Sequence, residues 1–391
     1  MRITKLKNQA VFWITAVLMF ILLLPYFVWQ FVGILNYIAI LPLYLILVLH
    51  IDRQAKLVFP VFFGVIAVIA AICNMENIIS ILVKFLLALI FIVDKTFLYQ
   101  VFGKFKSIYV ILISLSILVL LLVRIGVELP SEYLTPVNEL KTQNFRVYPF
   151  LVTSPYSLRF NGLFDEPGVV GVVSFSLLFI GKLDFKRFDN IIVLISGILS
   201  LSLFFYLALA IAIVMRFFKS GQKVRSRVTL LLVLFAGLFF VLNNKNTNEL
   251  IIERTRWDAA ERTITGDDRA LGDLKDYVNS LRGTDAYYWG IKNKAIIESY
   301  SRSASIQNAI LKYGIVVVVL FFVFYFAYSL HTLHSYYNCM MFMILLFCLI
   351  YNRPTMFDLS RLFLYNMALY SLIDTGEQYG DQNKFSHNMV R

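Results

Sequence analysis

Apolar stretches of membrane length alternate with short charged segments along almost the whole chain. Such runs predict transmembrane helices, because a helix satisfies its own backbone groups in lipid. The first five spans read near 10–29, 31–49, 57–73, 77–93 and 107–123. Basic residues cluster at Arg53 and Lys56 and again at Lys95, Lys104 and Lys106, whereas the 74–77 turn carries only Glu76. With the N-terminus inside, this alternation places the basic loops in the cytoplasm and the acidic one outside. A transmembrane barrel is excluded, since Ile108–Val123 shows no two-residue alternation.

Two long polar stretches interrupt the pattern, 124–166 and 243–308, and parity places both on the extracytoplasmic side. Pro167 opens the next span. The apolar run Asn190–Met215 would be about 39 Å long as one helix, but basic clusters flank it on both sides. Arg216, Lys219, Lys223, Arg225 and Arg227 follow it with no intervening acid. Both flanks belong in the cytoplasm, so the run is expected to break near Ser200-Leu201-Ser202 into two short helices with their hairpin outside. Further spans fall near 230–242, 309–330, 338–351 and 361–373. The expected fold is an all-α polytopic integral membrane protein, residues 1–391 forming one transmembrane domain of about twelve helices, with both termini cytoplasmic.

Composition narrows the function. Hydrophobic residues make up 59% and charged residues only 15%, against about a quarter charged in soluble domains. The net charge of +12 resides mainly in short inter-span loops, which argues against nucleic-acid binding. Cys73, Cys339 and Cys348 lie in or beside apolar segments and read as packing residues. The N-terminal segment has no small-x-small cleavage site and reads as an uncleaved first span.

The candidate chemistry concentrates in Arg159-Phe-Asn-Gly-Leu-Phe-Asp-Glu-Pro-Gly168. Helix capping accounts for either Asp165 or Glu166, but not for an arginine a few residues away. In the second loop, Leu250, Trp257 and Ile264 recur every seven residues, with Ala260 on the same face, and predict an amphipathic helix. Arg254, Asp258 and Arg262 would form an ion-pair ladder along one flank, with Arg256 on the other and Gly266-Asp267-Asp268-Arg269 ending the helix. The loop holds ten acidic and ten basic residues, and too few large apolar ones for a substantial core of its own. Arg353 and Arg361 flank the last outer loop. Arg361 reads more readily as an anchor of a helix end at the interface than as a functional residue, and Arg124 as a snorkelling anchor. All four histidines map to the cytoplasmic side, none with ligand-spaced partners, so no metal site is expected. For chemistry outside, the base would therefore be a carboxylate or none. Neither a P-loop nor a dinucleotide fingerprint is present.

The 159–168 stretch resembles the R-F-x-G-x-F-x-E-P-x motif of the Wzy family of polysaccharide polymerases, related to the O-antigen ligases. The broken pair at 190–215, the large outer loop and Ser303–Gly314 add to the likeness. Two positions depart from it. Ser200-Leu-Ser202-Leu stands where a Ser-Arg often follows the first half of the broken pair, and the ligases' histidine near the end of the large loop is missing. The second departure favours polymerase over ligase. The resemblance implies a GT-C-like architecture in the bacterial inner membrane with a periplasmic active site and no metal or cofactor. It implies glycosyl transfer between undecaprenyl-diphosphate-linked oligosaccharides, with membrane lipid and a chain-length regulator protein as further partners. Arg159, Glu166 and Asp165 would be catalytic, and Arg254, Arg256, Arg262, Arg269 and Arg353 would bind diphosphate or substrate. The competing expectations are an O-antigen ligase, a lipid-linked oligosaccharide flippase, and another glycan-handling enzyme. Lys84, the one clear mid-span charge, bears on the flippase.

Overall fold

The computed structural model describes residues 2–135, 144–153, 159–218, 272–300 and 306–373, with 228, 232, 257–258 and 263–264. The fold is mostly helical. In chain order the first helices are α1 (Arg2–Ile21), α2 (Val32–Leu49), α3 (Val58–Cys73), α4 (Ile78–Leu86), α5 (Lys95–Arg124) and α6 (Pro167–Ile180). Then come α7 (Phe188–Leu199), α8 (Leu203–Phe218), α9 (Gly272–Ser280), α10 (Asp285–Trp289) and α11 (Lys294–Ser299). The chain closes with α12 (Ile306–Leu333), α13 (Tyr336–Asn352) and α14 (Leu359–Tyr370). Polar residues start several of them: Asn77 accepts from the Ser80 amide, Asp94 from Thr96 and Ser335 from Asn338.

Helices α5 and α12 are long and apolar enough to cross a membrane, and many shorter apolar helices surround them. The outward surface is apolar too, with Leu41, Leu45, Val58, Ile78 and Leu121 all more than half exposed. Two helices are buried on every side. Each residue of α14 and every residue of α6 from Val169 onward is enclosed, although α14 carries Ser360, Arg361 and Asn366. They pack on each other at the centre of the bundle.

Hydrogen bonds sort the helix ends into two groups. At one end the Tyr26 amide donates to Leu163, the Phe160 amide to Leu199, and Ser360 Oγ to Leu22. At the other, Arg216 donates to the Lys182 carbonyl, Tyr337 to Met215, and Asn338 to Leu372. The expected break in the 190–215 run is present. Helix α7 stops at Leu199, Leu201 takes a left-handed φ of 46°, and α8 runs back. The start of α7 and the end of α8 therefore share one end of the bundle, and the Ser200 tip lies at the other.

The first polar stretch contains a three-stranded antiparallel sheet: β1 (Glu132–Leu134), β2 (Phe145–Tyr148) and β3 (Leu151–Thr153). Phe145 and Val147 turn inward while Arg146 faces out, and Trp29 packs edge-on against Phe145. The second stretch corrects an expectation. Trp257 and Ile264 do not share a helix face; they are opposite one another in a two-stranded ladder, β4 (Trp257–Asp258) with β5 (Thr263–Ile264). A seven-residue separation is equally that of two positions opposite each other in a short antiparallel ladder. Asp258 is thus a strand residue and not the middle of a helical ion-pair ladder. Leu274, Val278 and Ile291 form a small core with Leu311 of α12, so this region rests on the bundle. Gly290 and Gly314, both at φ 81°, make that junction. A Cβ on Gly314 would strike the Tyr288 carbonyl, and one on Gly290 would come within 2.6 Å of the Lys312 carbonyl. Gly314 also kinks α12.

Candidate functional site

The 159–168 stretch folds as a compact turn between β3 and α6. Its apolar side chains anchor it: Phe160, Leu163 and Phe164 are buried in the main core. The Val152 amide donates to the Gly162 carbonyl, and Asn161 Nδ2 to the Asp165 carbonyl at 3.3 Å. Arg159 Nε donates to the Ser200 carbonyl at 3.2 Å, which ties the motif to the tip of the broken helix pair. The Ser200-Leu201-Ser202 segment thus engages the motif arginine through its backbone, although the Ser-Arg of the resembling family is missing there.

Glu166 is the N-cap residue of α6 by backbone geometry, with Pro167 in the first turn, yet its side chain makes no capping hydrogen bond. Instead its Oε2 pairs with Arg353 Nη2, from the loop between α13 and α14. Capping therefore does not explain Glu166. Gly168 belongs to the same contact, because a Cβ there would lie 3.3 Å from Arg353 Nη2. Burial pushes the Arg353 guanidinium down to about 10, with Asp165 raising it and Arg361 lowering it further. It remains a cation at neutral pH.

The structure thus brings together three of the expected residues, Asp165, Glu166 and Arg353, and places Arg159 at the same end of the bundle on the hairpin tip. They converge because the motif opens α6, the 353–358 loop opens α14, and these two central helices start at the same end. Arg254, Arg256, Arg262 and Arg269 lie outside the described residues.

Sequence reasoning undervalued two other groups. Arg361, in the first turn of α14, is 6% exposed, and its Nη1 is enclosed without an acceptor among the described residues. It is no interfacial anchor. Lys84 pairs with Glu76 and lies over the rings of Tyr313 and Phe357, 5.2 and 5.7 Å from their centroids. Both partners line a cavity of about 320 Å³ at this end of the bundle, with Asp358, Ser80 and Tyr44. Solvent reaches Asp358 there, yet its close surroundings hold the carboxyl above the usual carboxylate range, against the pull of Arg361, Lys84 and Lys312.

No group of three histidine, cysteine or acidic side chains is placed to hold a metal ion among the described residues. Comparisons with family models, curated proteins and solved structures found no match to this chain.

Proposed function

We propose that the chain is a membrane glycosyltransferase of the Wzy type, which polymerises undecaprenyl-diphosphate-linked oligosaccharides at the outer face of the bacterial inner membrane. One observation carries this reading: the Glu166–Arg353 pair, formed across Gly168 where the two central helices open, with Arg159 bound to the neighbouring hairpin tip. Arginines and carboxylates converge there at the end of an apolar bundle. That is the chemistry needed to release a diphosphate and accept a proton.

In this reading the acceptor's hydroxyl oxygen attacks the anomeric carbon of the donor. The carbon–oxygen bond to the diphosphate breaks, and its electron pair leaves with the lipid diphosphate. The hydroxyl proton passes to a carboxylate, for which Glu166 is the first candidate and Asp165 the second, although a leaving group this good makes a base optional. Negative charge grows on the leaving diphosphate as the bond breaks, so arginines fixed in advance stabilise the transition state more than the ground state. Each charge-assisted hydrogen bond contributes roughly 1.5–3 kcal/mol. Arg159 and Arg353 are the described candidates. Arg254, Arg256, Arg262 and Arg269 are further candidates from the second loop. The basic segments between helices support cytoplasmic termini and an outward-facing site.

A gel of lipopolysaccharide from a clean deletion in the native host tests this, if that host makes O-antigen. Collapse of the ladder to core plus one repeat unit is the expected result. Bare core would move the step to ligation or export and overturn the polymerase reading.

A further inference from the structure

A buried cation with no counter-group is costly unless something supplies one. Arg361 is in that position. It lies in the first turn of α14, 94% enclosed by relative exposure of 6%; its Nη1 has no acceptor, and it makes no ion pair among the described residues. Its surroundings add a second cation and not a full complement of anions. Arg353 is close enough to feel the Arg361 charge, with Asp165 acting on Arg353 and Asp358 on Arg361. Lys84 and Lys312 face Asp358 as well and share its charge. Tyr365 and Tyr109 lie near Arg361. Beside Arg353, Asn352 ends α13 with both amide atoms enclosed and unpartnered among the described residues.

Two neighbouring guanidiniums, one with an enclosed Nη1 that finds no acceptor among the described residues, form a donor-rich corner. Among the described residues, the carboxylate that grips either arginine directly is Glu166, whose side chain is 36% exposed. We propose that Arg361 and Arg353 form a two-guanidinium site for a phosphate or diphosphate group, and that Glu166 holds Arg353 until this anion displaces it. The planar guanidinium fork matches phosphate oxygens, and a diphosphate brings more charge and more acceptor atoms than one carboxylate. Gly168 leaves room for that exchange, having no Cβ against Arg353. Displacement links two roles. The anion's arrival frees the Glu166 carboxylate to receive a proton, so the base becomes available only when the leaving group is in place. The identity of the group bearing the phosphate rests on the polymerase reading; the anion chemistry does not.

The test is direct binding of inorganic pyrophosphate to the purified full chain, with sodium sulfate at equal ionic strength as control. Arg361→Gln is expected to weaken binding about tenfold or more, the loss of one or two charge-assisted bonds, and Arg361→Lys to retain part of it. Glu166→Gln is expected to tighten pyrophosphate binding while abolishing polymer formation, a combination that a purely structural role for Glu166 would not produce. Competition by farnesyl diphosphate but not by phosphatidylglycerol nanodiscs assigns the anion to a prenyl carrier. Competition by both assigns it to phosphate headgroups in general. Absent binding, or equal binding by wild type and Arg361→Gln, overturns the site; unchanged or weaker binding by Glu166→Gln overturns the displacement. A collapsed lipopolysaccharide ladder alongside unaltered Arg361→Gln binding sinks this inference alone. Arg361-dependent binding in a strain whose ladder survives deletion sinks the polymerase reading alone.

Discussion

Lys106 and Arg361 are equally buried, each 6% exposed, but at opposite ends of the bundle they are treated differently. Lys106 is fully provided for. Its Nζ lies 2.8 Å from Asp189 Oδ2 and also donates to Asn190 Oδ1, both in the first turn of α7. Asp189 is held in turn by Arg187 at 2.9 Å. That network clamps α5 to α7 where the broken helix pair begins. Arg361 has no such complement among the described residues, and the neighbouring Arg353 is paired with a carboxylate that is itself a candidate for chemistry. Burial alone therefore does not distinguish a structural cation from a functional one. Satisfaction does: a closed network is finished by folding, whereas an open one leaves donors for a ligand.

The comparison is broken most forcefully at the open end. Arg353→Ala and Arg159→Ala are each expected to abolish polymer at normal membrane levels of protein. Loss of one preorganised donor to a developing charge costs about 10²–10³ in rate. Polymer ladders from complemented deletion strains, read beside immunoblots of membrane fractions, measure it. A normal ladder from either variant at normal abundance would remove that arginine from the reaction.

A smaller and opposite pair of effects separates structure from function. Lys106→Met should lower stability by about 1–3 kcal/mol, below the full cost of breaking a buried pair because Asp189 keeps Arg187 and some solvent. It should leave residual activity per folded molecule near wild type. Arg361→Met should do the reverse, losing polymer formation with unchanged or raised thermal stability, since it removes a poorly compensated buried charge. Melting of both proteins in one detergent decides the matter. Equal destabilisation would make Arg361 another clamp.

How much of this was legible in the sequence follows from where the information resides. The 159–168 motif was readable because an arginine and two carboxylates beside a span are expensive in any fold. The break at 200–202 was readable because basic flanks on both sides constrain the path of the chain. Arg361 was not, since an anchoring arginine and a buried one both stand at the start of an apolar helix; only the central position of α14 distinguishes them. The pairing of Glu166 with Arg353, far apart in sequence, is likewise tertiary. Trp257 and Ile264 misled because a spacing of seven suits a helix face and a short strand pair alike, and nothing local chose between them. The β2 strand did carry a local signal, the Phe145-Arg146-Val147 alternation, but it is three residues long.

The smallest expected effect asks whether Asp358 already completes Arg361. Desolvation by its close surroundings holds the Asp358 carboxyl above its usual range although Arg361, Lys84 and Lys312 pull it down. A carboxyl whose folded pKa is raised favours folding in its protonated form. Its contribution is full below the unfolded value of about 3.9 and is lost as pH rises through the raised folded value. Asp358→Asn, neutral at every pH, should therefore raise Tm slightly at pH 7.5 and make no difference near pH 4. Solvent enters the cavity at Asp358, so screening keeps the gain to about 1–2 °C. Thermal melts across that pH range would show it. A lower Tm at pH 7.5 would mean that the carboxylate stabilises Arg361 as Asp189 stabilises Lys106. The two ends would then be alike, and the open site would shrink to Arg353 alone.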